Sequence, residues 1–148
     1  MDIKAFSSFH AGKSGLRKVL GDLEADIMEA VWARGPGARV TVREVVSDLH
    51  SVRDPAYTTV MTVMGILTKK GLLEAHKTRL AYAYEATATR QQFTEQVVAT
   101  VVQELLADFK EPALAHFVQA IAQDPGPAQD WAGRIAGRRA AERAERGR

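Results

Sequence analysis

The run from Pro55 to Glu85, PAYTTVMTVMGILTKKGLLEAHKTRLAYAYE, decides the fold. Its first half carries Val60, Val63, Met64 and Leu67 at the i, i+3, i+4, i+7 spacing of one apolar helix face. This predicts a helix over Ala56 to Lys70 opened by Pro55, a residue suited to helix starts. The opposite stripe holds Thr58, Thr62, Gly65 and Lys69, with Thr59, Met61 and Ile66 at its flanks. Threonine is a weak helix former, so three on one outward face suggest that the face has a task. Gly71 stands where a left-handed glycine commonly ends a helix. Beyond it, Leu72 to His76 and Ala81 to Glu85 alternate as two strands, joined at a basic tip of Lys77, Thr78 and Arg79. Lys69, Lys70, Lys77 and Arg79 against Glu74 alone give a local excess of three positive charges, more than the +2 of the whole chain.

Upstream, Leu23, Ile27, Met28, Val31 and Trp32 recur at helical spacing over Asp22 to Ala33. Asp22 is placed to cap the exposed N–H groups, and Gly35-Pro36-Gly37 stops the helix. A short extended piece, Arg39 to Val42, leads into a second helix from Thr41 to about Leu49. There Thr41 and Glu44 stand at capping-box spacing, and Val42, Val45, Val46 and Leu49 form the buried stripe. Ser51 to Asp54 make the turn. A capped short helix, a turn, a second helix and a basic hairpin are the parts of a winged helix-turn-helix, whose second helix enters the DNA major groove.

Downstream the pattern changes. Phe93, Val97, Val98, Val101, Val102, Leu105, Leu106 and Phe109 form a broad apolar band on a helix that Pro112 interrupts. Leu114, Phe117, Val118 and Ile121 continue it on a second amphipathic segment. Asp124-Pro125-Gly126-Pro127 breaks again, ahead of a charged helix and an Arg/Glu-rich tail. This part is too thin to bury its own stripe, so these twelve residues are the expected interface between two copies, paired symmetry being the commonest. The expected fold is mainly α with a small antiparallel β wing. Residues 1–18 are read as a flexible basic arm, 19–88 as the winged-helix DNA-binding domain, 89–123 as a helical dimerisation domain and 124–148 as a charged tail.

Composition bounds the function. At 148 residues, 46% hydrophobic and 26% charged, the chain is ordinary for a globular protein. No apolar run approaches the length of a membrane span and the N-terminus lacks a signal-peptide core, which predicts a cytoplasmic protein without membrane insertion. Without cysteine it has no thiolate metal site or thiol nucleophile. His10, His50, His76 and His116 lack metal-ligand spacing, so no metal is expected. Gly12-Lys13-Ser14 resembles the end of a phosphate loop, but Ser7 stands where the pattern needs glycine. No catalytic constellation is present: the chain is read as a non-enzyme with no cofactor.

Leu20 to Trp32, AYTTVMTVM at Ala56 to Met64 and LAHFV at Leu114 to Val118 together make the sequence resemble the penicillinase repressor family (BlaI/MecI/CopY) over about residues 17–122. YTTVMTV followed by TKKGLL is the most specific part. The resemblance implies a dimeric winged-helix repressor: a recognition helix in the major groove of a palindromic operator, a wing on phosphate or minor groove, and C-terminal helices joining two subunits. It also implies a membrane metallopeptidase sensor as a partner, which in several relatives relieves repression by cutting an Asn-Phe bond. This chain contains no asparagine, and the corresponding stretch lies near Thr100-Val101. The cysteine cluster of copper-responsive relatives is absent too. Gly65, Ile66 and Ala83 stand near places where many relatives carry Arg or Gln.

In this reading Thr58, Thr59, Thr62 and Met61 face base edges, because a threonine hydroxyl bonds to donors or acceptors and its methyl meets the thymine methyl. Arg43, Tyr57, Lys69, Lys70, Lys77 and Arg79 are the candidate phosphate contacts. Two other readings stand beside it: a winged-helix protein-interaction module whose basic wing is merely solvated, and an architectural DNA binder without sequence preference, supported by the arginine-rich tail (Arg134, Arg138, Arg139, Arg143, Arg146, Arg148).

Overall fold

The computed structural model describes residues 9–146. Helix α1 spans Asp22–Ala33, and its N-cap is Gly21 rather than the expected Asp22. Glu24 accepts the Gly21 N–H at 3.0 Å, so a carboxylate one turn in satisfies the entry. Strand β1 (Arg39–Thr41) runs directly into α2 (Val42–Leu49) through the predicted capping box. There Thr41 Oγ1 accepts the Glu44 N–H at 3.3 Å and Glu44 accepts the Thr41 N–H at 2.8 Å.

Helix α3 covers Tyr57–Lys69 with Ala56 as N-cap, which places Pro55 just outside the helix and not in its first turn. Its far end is a Schellman closure. Gly71 adopts φ +78°, its N–H reaches Thr68 O at 3.0 Å, and the Leu72 N–H reaches Leu67 O at 2.9 Å. The strands then fall one residue later than expected, β2 at Leu73–Lys77 and β3 at Tyr82–Ala86. The sheet is antiparallel in the order β1-β3-β2, with Val40 opposite Tyr84 and Lys77 opposite Tyr82.

The apolar faces of α1, α2 and α3 close over this sheet. Ile27, Val31, Val45, Val60, Met64 and Leu67 are all essentially inaccessible to water. Val46 and Val63, expected in the same stripes, are only half-buried.

Residues 9–18, expected as part of a free arm, are fastened to α1. A 3-10 turn at Gly15–Lys18 places Lys13 2.8 Å from Asp22 and pairs Arg17 with Asp26. The remainder of that arm lies outside the described residues.

Helix α4 (Arg90–Asp108) brings a further correction. Phe93 and Val97 are buried at 1% and 8% exposure. Phe93 lies 5.6 Å from the Trp32 ring, whose Nε1–H donates to Ala88 O at 2.9 Å. These two residues therefore complete the core of the winged-helix unit and are not available to a second subunit.

The chain divides into two compact units at Thr100 and Val101. The second contains α5 (Lys110–Gln123) and α6 (Pro125–Arg146). The break falls at Phe109, the α5 N-cap, three residues before the expected Pro112. Pro112 instead sits in the first turn, where a missing N–H costs nothing. None of the residues of α5 is buried.

Candidate nucleic-acid interface

Packing buries one stripe of α3, Val60, Met64 and Leu67, and leaves the opposite side of the helix to solvent. Tyr57 and Met61 are about half exposed, and Thr58, Thr59, Thr62 and Lys69 are exposed beside them. Thr62 donates its hydroxyl to Thr58 O at 2.9 Å. Its proton is thus held within the helix, and the outward offer is oxygen lone pairs and a methyl group. Gly65 adds a flat place on the helix: a Cβ built there meets nothing within 4 Å. Packing does not require this glycine, although glycine inside a helix costs about 1 kcal/mol relative to alanine.

The wing supplies charge. Lys77 and Arg79 are exposed at its outer end. Arg43 is exposed in the first turn of α2, beside the positive end of the helix dipole, where a cation is locally unfavourable. Burial pushes the Tyr84 hydroxyl above its usual range, and the nearby Tyr82 and Tyr57 hydroxyls push it further.

Not every candidate cation is equally placed. Lys70 lies 2.7 Å from Glu24 of α1, with both side chains largely covered. It holds the end of α3 to α1, and a phosphate would have to compete with that carboxylate. The residues missed by sequence reasoning are Arg17 and Arg53, which converge on the buried Asp26. Arg53 lies in the turn immediately before α3. A lone aspartate within an apolar helix stripe was the available signal.

Among the residues expected to join two copies, Val98, Leu105, Phe109, Leu114, Phe117, Val118 and Ile121 are exposed. Val101, Val102 and Leu106 are half-covered. Among the described residues no group of His, Cys, Asp and Glu could hold a metal, and no helix is long and apolar enough to cross a membrane.

The sequence profile of the penicillinase repressor matches residues 20–126. The chain belongs to this family. The transcriptional regulator BlaI of Mycobacterium tuberculosis (strains CDC 1551 / Oshkosh and ATCC 25618 / H37Rv) is 36% identical over 114 residues, covering 74% of this chain and 78% of the regulator. An uncharacterised 16.5 kDa protein from the ptsI 3′ region of Latilactobacillus sakei is 28% identical over 95 residues, 64% of this chain and 63% of that protein. The solution structure of the DNA-binding domain of the repressor BlaI is 24% identical, with a TM-score of 0.41 over 48% of this chain and 83% of that domain. Penicillinase repressors are transcriptional repressors and not enzymes, in keeping with the winged helix-turn-helix built by α1–α3 and the three strands. The family match spans the winged helix, α4 and α5 and ends at the start of α6.

Proposed function

We propose that this penicillinase repressor acts in the cytoplasm as a homodimer that binds a palindromic operator sequence-specifically. The observation that carries this reading is the exposed threonine face of α3 beside a cationic wing, in a chain whose second unit leaves its apolar band in water. Thr58, Thr59, Thr62 and Met61 read base edges. Arg43, Tyr57, Lys69, Lys77 and Arg79 hold phosphates, with Lys70 contributing only if it leaves Glu24. Two copies place their recognition helices about one helical turn, roughly 34 Å, apart.

Threonines offer no bidentate pairing to a base, and this face has no Arg, Gln or Asn. Each half-site is therefore read through methyl contacts, shape and bridging water. Neither half-site alone holds well at physiological salt, so loss of the dimer releases the operator. Relief by a membrane metallopeptidase, at a bond other than Asn-Phe since the chain has no asparagine, or by another inducing signal belongs to the same reading.

Gel shifts on the promoter of the chain's own gene test the proposal. Thr62→Ala should weaken binding by about 1–3 kcal/mol and relax preference at one base position. Equal losses on operator and random DNA would remove Thr62 from the readout.

A further inference from the structure

The wing closes on a two-residue corner, Arg79-Leu80. Such corners usually adopt mirror-image turns with positive φ, filled by Gly, Asn or Asp. Neither corner residue does so here: among the described non-glycine residues, Asp54 alone has a positive φ. Thr78 shapes the corner by other means. Its N–H and its hydroxyl both donate to Ala81 O, at 2.8 and 2.6 Å, and its oxygen accepts the Ala81 N–H at 3.1 Å. The tip is thus tied shut, and it holds Leu80 at 97% exposure.

A single apolar side chain in water is common and proves nothing alone. The setting of Leu80 is what singles it out. It stands on a fastened corner, next to Arg79, with the Lys77–Tyr82 pair directly behind. The hairpin's carboxylates, Glu74 and Glu85, are paired three positions further back, toward the body of the sheet. A leucine framed by cations and remote from acids suits a polyanion with an apolar interior, and duplex DNA has charged edges around stacked bases.

We propose that Leu80 is a wedge, pressed by the wing against a base step from the minor groove while Arg79 and Lys77 hold the flanking phosphates. This inference rests on the DNA-binding reading above. Apolar side chains used this way partly unstack a step and bend the duplex. Flexible pyrimidine–purine steps open most easily, so sequence preference arises at a position that receives no hydrogen bond.

The test uses full-length protein and duplexes that the wild type enriches from a random pool. These are labelled with dyes at both ends and with 2-aminopurine at the pyrimidine–purine steps. Wild type should shorten the end-to-end distance and brighten one 2-aminopurine. Leu80→Ala, at a site with no packing role, should lose both signals and bind the enriched duplex about tenfold more weakly, with a smaller loss on random-sequence duplex. Leu80→Met should retain both signals, because it keeps an apolar wedge of similar length. Lys77→Ala should weaken both duplexes and keep the 2-aminopurine signal. A straight, dim wild-type complex overturns the wedge and leaves the DNA-binding reading standing, as does a Leu80→Ala protein that bends and binds like wild type. A wild type that enriches no duplex overturns both.

Discussion

Arg53, in the turn that leads into α3, donates its Nε–H to Asp26 of α1 at 2.8 Å. Asp26 is 7% exposed, and its other oxygen receives Arg17 from the N-terminal 3-10 turn. One carboxylate thereby joins the N-terminal turn, α1 and the turn before α3, and α3 inherits its position partly from this junction.

Asp26→Ala should lower stability by about 1–3 kcal/mol. The cost stays below that of a fully buried pair because both guanidinium groups retain access to water. Asp26→Asn should recover little, since an amide offers one acceptor where two donors converge. Urea unfolding checks this, and an unchanged midpoint in Asp26→Ala would contradict the structural role.

Lys70 and Lys77 should separate in salt titrations. Lys77→Ala is expected to lower the slope of log K against log salt by about one unit, the signature of a lost phosphate contact. Lys70→Ala should leave that slope nearly intact and act on stability, because its partner in the free protein is Glu24. Equal changes in slope would return Lys70 to the phosphate-binding set.

Glu44 makes the helix-turn-helix sensitive to acid. The Thr41 N–H, followed by the Thr41 hydroxyl and the nearby Arg34 charge, holds its carboxyl below the ordinary glutamate value of 4.5. A depressed carboxyl contributes stability that is fully present above the unfolded value. That contribution disappears as pH falls through the lower folded value. The wild type should therefore lose stability below about pH 4.5, and Glu44→Gln should flatten that part of the curve. Parallel curves from thermal melts at pH 3 to 6 would count against this assignment.

Phe93 and Leu105 lie on one predicted stripe but should behave differently. Phe93→Ala empties a core site and should cost about 3–5 kcal/mol, with no change in assembly beyond that caused by unfolding. Leu105→Glu places a charge on an exposed apolar surface and should yield a folded monomer. Sedimentation of the two proteins decides the matter; a dimer that survives Leu105→Glu moves the interface elsewhere.

Much of the winged helix was legible because its signals are local. The bounds of α1 follow from its apolar period and the glycines after Ala33, α2 from the Thr41/Glu44 reciprocal cap, and the end of α3 from Gly71. The cap of α1 was misplaced by one residue because the Glu24 carboxylate reaches back to the Gly21 N–H, so the helix enters at a glycine that has no capping side chain of its own. The candidate recognition face was legible for the same reason: the apolar stripe assigns its opposite to solvent.

Partners across the sequence were not legible. Periodicity identifies an apolar stripe and says nothing about what covers it, so Phe93 and Val97 read the same as Val98 and Leu105. Nor does composition reveal which cations have carboxylates of their own, as Lys70 does with Glu24 and Arg53 with Asp26.

Local chemistry in the chain was enough to determine the helices of the winged helix and its hairpin, because capping, turn geometry and hydrophobic spacing act over a few residues; the family was legible through the motif resemblance at YTTVMTV and TKKGLL. Tertiary structure alone decided which apolar residues stay in water, which lysine is already paired and how the wing carries Leu80. Those outcomes depend on residues tens of positions apart meeting in space.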